Sequence, residues 1–302
     1  PGIPRAAGTA RRRPSGPARA FAPRSSRPLI DLHTHTTASD GRCSPDELAA
    51  RAAAAGVTVL GLTDHDTVAG CAAAAVACER LGVAFVPGIE ITAVAGERDV
   101  HVLGYFFDLH SAALLAFLGE QRARRVARVR EMFERLDAHG IHLDVESVLK
   151  PGLEDSTRSV GRPWIARALV AGGFVRDVSE AFDRWLSPGR PAFVPREGAT
   201  PEEVFARVHE AGGIVSLAHP ILVRHDQWIA PFAEAGLDAI EAYHSDHDDA
   251  ATARYLQVAA DLGLLVTGGS DYHADDEHGG GGPGSVALPR PHWDRLLARA
   301  GR

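Results

Sequence analysis

The sequence predicts an α/β fold in which parallel strands are joined by crossover helices, and three observations carry that prediction. After Pro28, short apolar runs alternate with amphipathic or alanine-rich stretches. Seven such runs occur, enough for a barrel or a large open sheet. Two of the intervening stretches also open with helix-start signatures.

Taken in order, the strand candidates are residues 29–34, 57–63, 83–87, 99–106, 213–217, 237–243 and 263–268. The first helix begins at Ser44-Pro45-Asp46-Glu47, which offers a capping hydroxyl, proline at the first helical position and a capping-box glutamate; it ends at Gly56. Thr200-Pro201-Glu202-Glu203 repeats the device, and that helix ends at Gly212-Gly213. Between them, residues 111–196 carry helical patterns at about 112–139, 162–172 and 177–187 and no strand pattern, so they read as a helical insertion capping the substrate. The expected organisation is thus a disordered Arg-rich tail (1–28), a first barrel part (29–110), the insertion (111–196) and a second barrel part (197–302). Gly279 to Gly284 (GGGGPG) lacks the Lys-Ser/Thr of a phosphate-cradling loop and reads as a mobile segment.

Composition excludes several classes. At 302 residues, 45% hydrophobic and 24% charged, the chain can bury a real core and is not predominantly disordered. It has no apolar run of transmembrane length and no apolar signal core, so a soluble cytoplasmic protein is expected, without membrane partners. Cys43, Cys71 and Cys78 form no CxxC pair and read as inert thiols in a reducing compartment. The net charge of −7 hides seven arginines and no acid within residues 1–28; the remainder carries 25 bases against 39 acids, a net of −14. Such a body is not a general nucleic-acid binder, and no DNA duplex is expected as a partner. Only Lys150 stands beside 31 arginines, a bias of genomic composition.

Histidines and carboxylates fall at the ends of the strand candidates. His33 and His35 are two apart, so in an extended chain both imidazoles point to one side. Asp64-His65-Asp66 closes the second run, Glu90 follows the third, His101 lies in the fourth, His219 follows the fifth, and Asp271 and His273 follow the seventh. In a parallel barrel these ends converge on one mouth. Imidazole and carboxylate donors without thiolates suit Mn²⁺, Zn²⁺ or Fe²⁺, and there are too many for one ion.

The motifs DLHTHTTASDG (31–41), TDHDT (63–67), GIEIT (88–92), HVLGYFFD (101–108), AHP (218–220) and SDYH (270–273) resemble, in order and spacing, the polymerase and histidinol phosphatase (PHP) family from Leu29 to about residue 300. The resemblance implies a distorted (β/α)7 barrel with a trinuclear metal centre and Mn²⁺ as the first choice. Motif by motif, it implies that His33, His35, Glu90 and Asp271 hold one ion, that Glu90, His101 and His219 hold a second, and that Asp40, His65 and His273 hold the third. Asp40 stands where some relatives use histidine. SVGRPWIARALVAGGFV (159–175) and AFDRWLSPGRPAFVP (181–195) resemble the insertion of nucleoside 3',5'-bisphosphate phosphatases that also trim RNA 5' ends. Trp164 replaces the histidine expected after Arg-Pro, and Ile221-Leu222-Val223 replaces the usual Gly after AHP.

The implied reaction removes the 3'-phosphate of nucleoside 3',5'-bisphosphates, with 5'-to-3' exonuclease activity on short RNA, by attack of a metal-activated hydroxide. Turnover of another phosphomonoester, such as histidinol phosphate, is the alternative; a non-catalytic metal-binding scaffold is the alternative of another class, and its mark, loss of ligands, is not found. Arg162 and Arg190 are the candidates to hold a second phosphate, with Arg196 and Arg224 as further choices. Asp31, Asp64 and Asp66 are expected to orient imidazoles, Asp66 also to shuttle a proton, and His244 or His247 to touch substrate or protonate the leaving group.

Overall fold

The computed structural model describes residues 28–274 and 281–301. The Arg-rich tail, His278 and the first two glycines of the GGGGPG stretch lie outside these residues.

Seven strands form one sheet in sequential order: β1 (Leu29–Asp31), β2 (Val57–Leu62), β3 (Ala84–Ala95), β4 (Arg98–Tyr105), β5 (Ile214–Leu217), β6 (Ala239–Tyr243) and β7 (Leu265–Gly268). Eleven α-helices accompany them among the described residues: α1 (Pro45–Ala55), α2 (Cys71–Leu81), α3 (Ala112–Ala138), α4 (Val145–Glu154), α5 (Arg162–Ala171), α6 (Val178–Ala181), α7 (Pro201–Glu210), α8 (Pro220–Val223), α9 (Ile229–Glu234), α10 (Asp249–Leu262) and α11 (Arg290–Arg299). Both capping boxes form: Ser44 accepts from Glu47 N and Thr200 from Glu203 N.

Two expectations need correction. The sheet is not all parallel, because β4 is antiparallel to both β3 and β5. β3 runs eight residues beyond its expected end at Pro87, and only Gly96 and Glu97 separate it from β4. A two-residue turn leaves no room for a crossover helix and enforces a hairpin. Nor is the sheet a closed barrel: β1 and β7 share no ladder. Their continuations are instead stitched by Leu32 N to Gly268 O (3.2 Å), Asp271 N to His33 O (2.9 Å) and His35 N to Tyr272 O (2.9 Å). The chain leaves strand geometry there because it passes so close to β1's continuation that a Cβ on Gly269 would lie 2.3 Å from His33 N. Asp31 secures the junction by accepting from Ser270 N and Oγ and from Gly284 N.

One hydrophobic cluster lies between the sheet and helices α7, α10 and α11, and a second lies under α1 and α2. A third is built wholly from residues 129–194, in α3–α6 and the loop that follows. Helix α3, about 40 Å long, joins the first to the third: Leu114 and Leu118 pack in one, and Val129, Met132, Phe133 and Leu136 in the other. Helix α4 has no counterpart in the sequence reading; its internal Pro151 masks the helical pattern.

Candidate metal centre

Glu90, 1% exposed at the middle of β3, is the hub of the site. One of its oxygens lies 2.7 Å from His101 Nδ1 and 3.1 Å from His219 Nε2; the other lies 3.0 Å from His65 Nδ1, 3.2 Å from His35 Nε2 and 3.4 Å from His33 Nε2. Asp271 Oδ1 approaches the same pair, 3.2 Å from His33 Nε2 and 3.1 Å from His35 Nε2. Asp40 completes the set, with its oxygens 3.3 Å from His273 Nε2 and 3.6 Å from His65 Nε2. The nine candidate ligands therefore meet in one place. His101 arrives there by a different route from the one expected: it projects from the middle of antiparallel β4, opposite Thr92, not from a strand's C-terminal end.

Among the described residues four groups have donor atoms within 4.8 Å of one another: His33, His35, Glu90 and Asp271; His35, Asp40, His65 and His273; His65, Glu90 and His101; and His33, Glu241 and His244. The donor set fits divalent ions on independent grounds. His33 Nε2, His35 Nε2, His65 Nδ1, His101 Nδ1 and Glu90 Oε2 are buried without a competent hydrogen bond, although oxygens or nitrogens stand at 2.7–3.4 Å. Close polar atoms that fail hydrogen-bond geometry but converge on common points are what a cation site requires.

Electrostatics follow from this crowding. Burial pulls the imidazole of His35 down, but Asp271 and Glu90 outweigh it and raise the group to about 10. At His65 burial prevails over Glu90 and Asp40, and the pKa falls well below the usual value. Burial opposes ionisation of Glu90 too, yet His65, His101 and His33 hold its carboxyl far below the normal range. The backbone is bent to fit: His219 (φ 24°), Asp271 (φ 52°) and Asp66 (φ 50°) all adopt left-handed conformations.

Around the ligands, Glu241 is the residue that sequence reasoning missed. It is fully buried, 3.0 Å from His33 Nδ1, and also accepts from His219 N at 2.8 Å. A carboxylate inside the apolar run AIEAY was its visible signal. Asp31, Asp64 and Asp66 do not orient imidazoles: Asp31 serves the backbone near β7, Asp64 binds Thr36 and Ser39, and Asp66 is fully buried between Thr92 N and Arg125. Asp66 is thus held by Thr92 N and by Arg125, which itself lines the cavity. His244 is also held back. Its Nδ1 accepts from Asp246 N, which leaves Nε2–H to donate to Asp271 at 3.3 Å. His247 lies behind it, bonded through Nδ1 to Ala242 O.

A cavity of about 410 Å³ opens over the ligands and is lined by Asp40, His65, Glu90, His101, His219, Asp271 and His273. Arg125, Arg162 and Arg196 line the same cavity. Arg162 and Arg196 share Asp99, at 3.2 and 3.4 Å. Despite burial, Arg196, Arg162 and Arg128 lower Asp99 to about 2, while burial and the neighbouring guanidiniums lower Arg128 to about 9. Arg196 Nε and Arg128 Nη2 are buried without hydrogen bonds. Arg190 is not brought to this cavity; it is exposed in the turn after the π-helical segment Phe182–Leu186, where its N–H bonds Ser187 O. Arg224 lines a separate depression with Ile221, Asp226 and Arg254.

Comparison with known proteins finds relatives over most of the chain. The family model of the PHP domain matches residues 31–160. The 3',5'-nucleoside bisphosphate phosphatase of Chromobacterium violaceum is 35% identical over 280 residues, covering 89% of this chain and 97% of that protein. The 5'-3' exoribonuclease of Haemophilus influenzae is 35% identical, covering 80% and 89%. A solved structure from Bifidobacterium adolescentis, assigned as a metal-dependent phosphoesterase, superposes with a TM-score of 0.82 at 33% identity over 92% of this chain and all of its own. Among the described residues no helix is long and apolar enough to cross a membrane.

Proposed function

The chain belongs to the PHP family of metal-dependent phosphoesterases, and from that premise we propose that this hydrolase of phosphoric esters removes the 3'-phosphate of nucleoside 3',5'-bisphosphates. The carrying observation is that three arginines line the same cavity as the candidate ligands. Of these, Arg125 pairs with Asp66, and Arg162 and Arg196 share the single carboxylate of Asp99. A second phosphate on the substrate suits such a pair of guanidiniums with one carboxylate between them. Short RNA with a 5'-phosphate is the second reading, supported by a similar degree of identity to the exoribonuclease.

In this reading three divalent ions, Mn²⁺ first among them, would be held by His33, His35, Glu90 and Asp271, by Glu90, His101 and His219, and by Asp40, His65 and His273. When bound, they supply Lewis acidity: charge neutralisation at the phosphoryl oxygens and a lowered pKa for water. Arg162 and Arg196 hold the non-reacting phosphate and fix which ester faces the ligands. Leu222, exposed at the cavity rim, shields one side from solvent. Glu241 and His244 keep His33 and Asp271 in position.

The test is phosphate release from adenosine 3',5'-bisphosphate by metal-stripped protein reloaded with Mn²⁺, with AMP, histidinol phosphate and short 5'-phosphorylated RNA alongside. Metal-dependent conversion of the bisphosphate to AMP, faster than the other substrates, is expected. Turnover of histidinol phosphate alone would overturn the substrate assignment and leave the metal chemistry standing.

A further inference from the structure

The residues between His35 and Gly41 carry Asp40 to the site, and they belong to no helix or strand. Their fold is tight: a Cβ on Gly41 would lie 2.5 Å from His35 O. On one side Asp64 holds the segment through Thr36 N, Thr36 Oγ1 and Ser39 Oγ at 2.6–2.7 Å. On the other, four consecutive carbonyls are taken by four separate donors, all from the excursion between β4 and β5. Arg158 Nη2 donates to Thr37 O, Ser159 N to Ala38 O at 2.9 Å, Trp164 Nε1 to Ser39 O at 3.0 Å, and Arg167 Nη2 to Asp40 O.

The donors are themselves anchored to the rest of the chain. Arg122 Nε donates to Ser156 O at 2.9 Å and Arg125 Nη1 to Val160 O at 3.3 Å, so α3 braces the segment that carries Arg158 and Ser159. Thr67 Oγ1 donates to Thr157 O at 2.5 Å, tying the same segment to the loop after His65. Helix α5 divides its faces: Arg162 and Pro163 line the catalytic cavity, whereas Trp164, Arg167 and Ala168 line a neighbouring groove against Thr37, Ser39 and Gly41.

We propose that the excursion, besides covering the cavity, is the positioning device for Asp40, and that the indole N–H of Trp164 sets how tightly the Asp40, His65 and His273 group holds its ion. The inference rests on reading those three residues as metal ligands. A loop with four free carbonyls has many conformations, and fixing them in advance removes that ordering cost from metal binding. Trp164 is the informative member, because its ring is half-buried under Arg158 and can be kept while its donor is removed.

The experiment is a calorimetric Mn²⁺ titration of metal-stripped Trp164→Phe beside the wild type, with metal content counted after gel filtration. Loss of one hydrogen bond to the loop is expected to weaken the last ion about tenfold and leave the others unchanged. kcat for the bisphosphate falls while KM holds, since Arg162 and Arg196 are not disturbed. Trp164→His, which restores a ring N–H, recovers most of the lost affinity, and Trp185→Phe in the same excursion changes nothing. Should Trp164→Phe fail to fold, Arg167→Met asks the same question at the Asp40 carbonyl. Wild-type affinity in folded Trp164→Phe and Arg167→Met overturns the clamp alone; a wild-type chain that takes up no divalent ion overturns the metal reading and the clamp with it.

Discussion

Five imidazoles lean on the single carboxylate of Glu90, and Asp271 and Asp40 divide the remaining contacts. Replacing His33 or Asp271 by alanine is expected to lower kcat/KM more than the roughly 10- to 100-fold typical of residues that merely support ligands, with an unchanged circular dichroism spectrum. Glu241→Gln falls within that supporting range. Arg162→Ala weakens substrates carrying a second phosphate more than simple phosphomonoesters, as parallel KM measurements would show. Proton linkage gives a further test. With His35 raised to about 10, the metal-free chain carries that proton at pH 7 and must release it on loading. Metal affinity therefore rises with pH, and the titration enthalpy depends on the ionisation enthalpy of the buffer. For the metal-free protein the sign is opposite. The stabilisation from protonated His35 is complete below about pH 6.5 and disappears as pH rises through 10. The ligand types were legible in the sequence because histidines two apart and carboxylates at the ends of apolar runs are rare combinations. Arg125 was not, since on α3 it is one arginine among several, and nothing local distinguishes the one that turns inward to Asp66.

Helix α3 shows how an element can contradict its own composition. Gly119 sits inside it, one residue after Leu118 ends the contacts with the first cluster and before Val126 begins those with the third. A Cβ there meets only Arg122 Nη2, at 3.9 Å. Gly119→Ala is expected to stabilise the protein by roughly 0.5–1 kcal/mol, measured as a rise in denaturation midpoint. Helix α2 turns both its thiols inward, where burial raises Cys71 to about 12 and Cys78 to about 11. Native protein at pH 8 should resist iodoacetamide at both, and react only after unfolding. Among the strands, apolar runs located all seven, but direction was not legible. Whether a run after Gly96 crosses over or turns back is decided by the two residues between β3 and β4, and Pro87-Gly88 has the look of a strand end although β3 continues through it to Ala95.

At the scale of the molecule, the three clusters are not independent. Helix α3 is shared by two of them, and the excursion is bound to the loop after His65 and to the segment carrying Asp40. A single calorimetric unfolding transition is expected, shifted upward by bound divalent ions according to RT ln(1 + [L]/Kd). Two resolved transitions would separate the excursion from the sheet. The place where the excursion departs has a consequence of another kind. Tyr105 and Ile214, between which it is strung, are cross-strand partners in the antiparallel register of β4 and β5. More than a hundred residues thus leave and return through one gate, as a hairpin loop would. Such a loop can be lengthened, shortened or exchanged between lineages while the strands at its base stay paired. Any such exchange must still supply donors to the four carbonyls from Thr37 to Asp40, because the part of the chain bearing Arg162 and Arg196 also holds the segment that carries Asp40.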